Sequence, residues 1–173
     1  VSGLHPDAAV LVATVRALKA HSGRYTIAAG KALPPELLLE HPDHVREGAT
    51  NLVKQIENVR MHGVSPVVAI NAFPQDHASE HRAIREIAEA AGARVAVSTH
   101  FTDGGRGAVE LARLVEEACA EPTQFRLLYP GDWSLRQKIE RIASAVYGAA
   151  AVEYTPLAAK QLDTYEHDGY GGF

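Results

Sequence analysis

The sequence predicts an α/β fold with a mostly parallel sheet and helices on both of its faces. Two observations carry this. Short continuous apolar runs stand at residues 9–13, 66–71 and 94–98, and amphipathic segments of helical spacing lie between and after them. An apolar run without polar alternation reads as a buried strand. Strand–helix alternation joins parallel strands through right-handed crossovers.

In chain order, 9–13 (AVLVA) is the first strand. Residues 25–42 contain Pro and Gly, lack periodicity and form a long connection, a kind of segment that is often functional. Over 43–62 the apolar residues Val45, Ala49, Leu52, Val53, Ile56 and Val59 predict one helix, ended by Gly63. Residues 66–71 form the second strand. A helix over 76–91 follows, with Ile84, Ile87, Ala88 and Ala91 inward and Gly92 as its stop. The third strand is 94–98. The next helix, 107–120, carries Val109, Leu111, Ala112, Leu114 and Val115. A shorter strand is expected at 125–129. Ser134 and Gln137 have the form of a capping box for a helix with the stripe Leu135, Ile139, Ile142, Ala143 and Val146. Thr155-Pro156 opens a last helix and Gly169 closes it. The expected architecture is a Rossmann-like three-layer sandwich over 1–132, with C-terminal helices over 133–173 as an appendage.

Composition narrows the function classes. The chain has 173 residues, 46% apolar and 22% charged, as in ordinary globular proteins. Its net charge of −4 provides no strong attraction to nucleic acid or an anionic membrane. No apolar stretch near the N-terminus is long enough to be a targeting or spanning segment. The single cysteine, Cys119, fits a reducing cytoplasm and is expected to be a small buried apolar residue of its helix. Residue 1 is Val, and the chain stops at Gly171-Gly172-Phe173, so a piece of a longer protein is expected.

In open parallel sheets, ligands bind beyond the carboxyl ends of the strands. After the first strand stand Thr14, Arg16 and Lys19, which could meet a phosphate or carboxylate or could simply be a solvated turn. After the second come Asn71, Phe73 and Pro74. An aromatic there could stack on a flat heterocycle or fold back onto the core. After the third come Phe101 and then Gly104, Gly105 and Gly107, where glycines permit close backbone approach to a ligand or merely a tight turn. His77 and His81 are four apart on a predicted helix but lack a third ligand. They read as surface residues, and no metal site is expected. The chain has neither a Walker loop nor a Gly-x-Ser-x-Gly elbow.

The stretch Val12-Ala13-Thr14-Val15-Arg16-Ala17-Leu18-Lys19-Ala20-His21-Ser22-Gly23 closely resembles a characteristic segment of formate–tetrahydrofolate ligases. Asn51-Leu52, Ile56-Glu57-Asn58, Val67 through Pro74, Gly104-Gly105-Arg106-Gly107, Tyr147-Gly148-Ala149 and Gly169-Tyr170-Gly171 match the family in order. The resemblance implies an enzyme that uses ATP, with magnesium, to join formate to tetrahydrofolate. The products are 10-formyltetrahydrofolate, ADP and phosphate, with formyl phosphate as intermediate. It implies a pterin clamp of Phe73, Pro74 and Phe101. It further implies phosphate or substrate contacts from Thr14, Arg16, Lys19, Asn71, Gly104 and Gly105. The family's ATP loop lies upstream of the quoted segment, so this chain alone is expected to be inactive. A cytoplasmic setting and a homo-oligomer of the full-length enzyme are also implied. Two departures stand out. Ser22 replaces a glycine and would be strained at positive φ, and Asp103 replaces a lysine. A non-catalytic α/β nucleotide-binding or oligomerisation module is the alternative.

Overall fold

The computed structural model describes residues 3–28 and 30–172. The chain divides into two compact units. One runs from Pro6 to Phe125, and the other holds residues 126–172 together with 3–5. The expected boundary after residue 132 falls inside the second unit.

The first unit is built on three parallel strands in the order β1-β2-β3: β1 (Ala8–Ala13), β2 (Ser65–Asn71) and β3 (Arg94–Ser98). Val10 pairs with Val67 and Ala69 with Ala96. The helices are α1 (Val15–His21), α2 (Pro42–Glu47), α3 (Thr50–Met61), α4 (Ala78–Ala90), the short α5 (His100–Asp103) and α6 (Val109–Ala120). Because side chains alternate along a strand, β2 feeds two cores. Val68 and Ile70 join Val15, Leu18, Val45, Ile56 and Ile84 in a cluster beneath α1–α4. Val67, Ala69 and Ala96 are equally buried but lie outside that cluster, on the face that α6 crosses. Helices therefore cover both faces of a parallel sheet.

Four local expectations change. The single helix over 43–62 is two, because the chain turns at Gly48-Ala49. A Cβ on Gly48 would stand 1.7 Å from the Leu18 carbonyl oxygen, so only glycine lets α2 end against the last turn of α1. The first strand is not wholly buried. β1 is an edge strand, and Val10 and Val12 are exposed on the face that α6 does not fully cover. No strand forms at 125–129. The Gln124 N–H donates to the Gly63 carbonyl at 3.3 Å and Phe125 stacks on His62, so the chain leaves without lining up beside a strand. In α6 the inward stripe is Leu111, Leu114, Val115 and Ala118. Val109, Ala112 and Cys119 fall off it and are exposed, so the cysteine is not a core residue.

In the second unit, α7 (Leu135–Tyr147) opens with the expected capping box. Ser134 accepts from the Gln137 N–H at 3.2 Å, and Gln137 accepts from the Ser134 N–H at 2.9 Å. Thr155 caps α8 (Pro156–His167) by accepting from the Ala158 N–H at 3.2 Å. Arg136 of α7 donates to Asp163 of α8 at 2.9 Å.

Candidate functional site

The carboxyl ends of β1, β2 and β3 lie side by side because the strands are parallel and in register, with Asn71 opposite Ser98. Each strand delivers its candidate residues to that edge.

Beyond β1, Thr14 is the N-cap of α1, its hydroxyl accepting from the Ala17 N–H at 3.1 Å. Arg16 follows on the first turn. Its guanidinium carbon lies 4.2 Å from the Phe73 ring centroid, and Nη2 donates to Gln75 Oε1 at 2.8 Å. Its buried Nε has no hydrogen-bond partner among the described residues. Lys19 behaves differently. Its ammonium is fully buried, ion-paired with Glu80, and donates to the carbonyls of Leu37 at 2.9 Å and Leu39 at 2.6 Å. An ammonium has three donors and all are engaged, so none is left for a ligand. Glu80 in turn accepts from the N–H groups of His41 at 2.9 Å and His77 at 3.1 Å. This buried pair fastens the 25–42 connection to α1 and α4. The sequence signal that could have revealed it was Glu80, a charge three and four residues before the inward Ala83 and Ile84 of an amphipathic helix.

Ser22, where strain was expected, has φ −66°. Gly23 takes the positive φ of 75°, and the Ser22 hydroxyl donates to the Lys19 carbonyl at 2.6 Å. The serine therefore sits without strain and closes the helix.

Beyond β2, Phe73 to Asp76 form a tight turn. The Phe73 N–H donates to Asp76 Oδ2 at 2.9 Å, and the Asp76 N–H donates to the Phe73 carbonyl at 3.0 Å. Phe73 is 36% exposed, and Pro74 is exposed beside it. Burial pushes the Asp76 carboxyl up. The hydrogen bond from His81, the Phe73 N–H and the nearby charges of His81 and Arg16 outweigh that and hold it below the ordinary aspartate value.

Beyond β3, Phe101 stands on α5 and is 87% exposed. Asp103 accepts from the Thr99 hydroxyl at 2.6 Å, so it staples its own helix. Gly104 has φ +58° and ψ −145°, a region that side chains avoid. A Cβ on Gly107 would come within 2.5 Å of Thr99, whereas one on Gly105 would meet open space. Gly104 and Gly107 thus serve the turn itself, and Gly105 is the glycine open to approach.

The described residues contain no group of three His, Cys, Asp or Glu side chains that could hold a metal. His77 faces the Leu38 carbonyl and His81 faces Asp76. No described helix is long and apolar enough to cross a membrane.

The family model described as formate–tetrahydrofolate ligase matches residues 1–173. The chain belongs to the formate–tetrahydrofolate ligase family. It is 65% identical over 170 residues to the formate–tetrahydrofolate ligase of Saccharopolyspora erythraea, a match covering 98% of this chain and 30% of that protein. It is 59% identical over 180 residues to formate–tetrahydrofolate ligase 3 of Rubrobacter xylanophilus, covering 99% and 31%. To the ligase of Cutibacterium acnes it is 54% identical over 173 residues, covering 100% and 31%. The chain thus spans about a third of the length of these ligases.

Proposed function

We propose that this chain supplies the folate-holding portion of a formate–tetrahydrofolate ligase and does not complete the reaction alone. The observation that carries the reading is the placement of Phe73 and Phe101. Neither ring belongs to the hydrophobic core. Each stands just past the carboxyl end of one of two neighbouring strands that pair in register. A flat pterin suits aromatic faces offered at such an edge, each stacking contact contributing about 0.5–1.5 kcal/mol beyond burial. Pro74 adds a rigid apolar rim beside the first ring.

Arg16 is the cation of this edge. Its stacking on Phe73 and its bond to Gln75 orient the guanidinium, a planar cation whose geometry suits a carboxylate or phosphate oxygen. Asn71 and Gly105 offer an amide and an open backbone at the same edge. In the whole enzyme, the chemistry is activation of formate by ATP and transfer of the formyl group to tetrahydrofolate. That first step needs the triphosphate placed in line with formate and its charge neutralised. The chain has no Walker loop to do so. A cytoplasmic setting suits the free, exposed Cys119.

The test is a titration of the purified chain with tetrahydrofolate, alongside an assay of 10-formyltetrahydrofolate formation from formate and ATP. The reading expects saturable folate binding that Phe73→Ala and Phe101→Ala weaken, and no turnover. Steady turnover by the chain would refute the claim of inactivity. Equal binding by all three proteins would refute the clamp.

A further inference from the structure

Phe73 has an unusual support for a ring meant to hold a ligand. A core aromatic is oriented by the side chains packed around it, but Phe73 lies outside the core cluster. Its backbone is held instead by one residue. Asp76 accepts from the Phe73 N–H at 2.9 Å and returns its own N–H to the Phe73 carbonyl at 3.0 Å. Between them, Pro74 has no N–H to give and fixes its own φ, which narrows the turn further.

The Asp76 carboxylate is itself only 3% exposed. A carboxylate so removed from water needs partners to remain in place. The side-chain donor it has is His81 Nε2, at 3.2 Å. His81 lies at the end of the first turn of α4, directly after Glu80, which is bound to Lys19 and to the N–H groups of His41 and His77. The brace therefore runs from a fixed helix through an imidazole and a carboxylate to the backbone of the exposed ring. Side chains held by a second layer of hydrogen bonds on a rigid element keep their geometry when a ligand is absent.

We infer that Asp76 and His81 are positioning residues for the pterin seat: His81 holds the Asp76 carboxylate, which holds Phe73 in the orientation that stacks on folate. This inference rests on the folate reading above. It adds that the affinity depends on a histidine and an aspartate that need not touch the ligand.

A double-mutant cycle between positions 81 and 73 tests it, read by tetrahydrofolate affinity of the purified chain together with the amide spectrum of the folate-free protein. His81→Leu removes the donor, whereas His81→Gln offers an amide N–H in its place. His81→Leu is expected to weaken binding about fivefold, and His81→Gln to restore it to within about twofold. On a Phe73→Ala background, His81→Leu is expected to add no further loss, because the ring it positions is gone. Without ligand, the Phe73 amide resonance is expected to move in His81→Leu and in Asp76→Asn. Independent losses in the cycle, or an unmoved Phe73 amide, would overturn the brace while leaving the clamp standing. Unchanged binding by Phe73→Ala alone would instead overturn the folate reading. Should His81→Leu fail to fold, the cycle is run with Asp76→Asn in its place, with the same two outcomes deciding it.

Discussion

The guanidinium of Arg16 lies over the ring of Phe73, 4.2 Å from its centroid, so the residues that end β1 and β2 form one unit. An exposed cation–π contact is worth roughly 0.5–1 kcal/mol. Arg16→Ala is therefore expected to lower unfolding stability by no more than about 1 kcal/mol, while weakening tetrahydrofolate binding about threefold. Urea unfolding and a folate titration check the two parts. A loss confined to stability would show that the arginine only packs.

The buried pair of Lys19 and Glu80 predicts a different result. Removing one charge leaves the other buried and uncompensated, at a cost of about 3–5 kcal/mol. Lys19→Met and Glu80→Gln are each expected to lose that order of stability in urea. The double variant Lys19→Met/Glu80→Gln is expected to lose less than the sum of the two. Recovery should stay incomplete, because the carbonyls of Leu37 and Leu39 and the N–H groups of His41 and His77 lose partners. Additive losses would contradict the coupling.

The three glycines after α5 separate by geometry. Gly107→Ala drives a methyl against Thr99 and is expected to cost the most. Gly104→Ala meets open space but a forbidden backbone, with an expected loss of about 1–3 kcal/mol. Gly105→Ala should stay within about 0.5 kcal/mol. Thermal unfolding of the three variants gives the order directly.

His44 sets an acid limit. Burial, then the neighbouring charges of His41 and Arg24, push its pKa below the ordinary histidine value, against the opposing pull of Glu47. Its folded pKa is therefore lower than its unfolded one. The stability it contributes is present above about pH 6.5 and is lost as pH falls through the folded value. The wild-type melting temperature should fall more steeply below pH 6.5 than that of His44→Asn. Parallel curves would sink this assignment.

Much of this was legible in the residues, and the misses share a cause. Strands, caps and helix ends are local events, so the Ser134 box, the Thr155 cap and the stops at Gly63 and Gly92 could be read directly. What could not be read depended on partners distant in sequence. Gly48 interrupts a periodic helix because Leu18 presses on it. Lys19, which resembled a ligand contact, turned inward because Glu80 waits on α4. The run 125–129 has strand composition, but Gly63 and His62 draw its start elsewhere. At the site, the strand-end positions of Phe73 and Phe101 were legible, whereas the Asp76–His81 support was hidden by reading two histidines only as a metal motif or solvated surface.

The most direct test of the account is calorimetric titration of the wild-type chain, Phe73→Ala and Phe101→Ala with tetrahydrofolate. Saturable wild-type binding, weakened about tenfold by either substitution, is the expected result. Identical isotherms for the three proteins would contradict it.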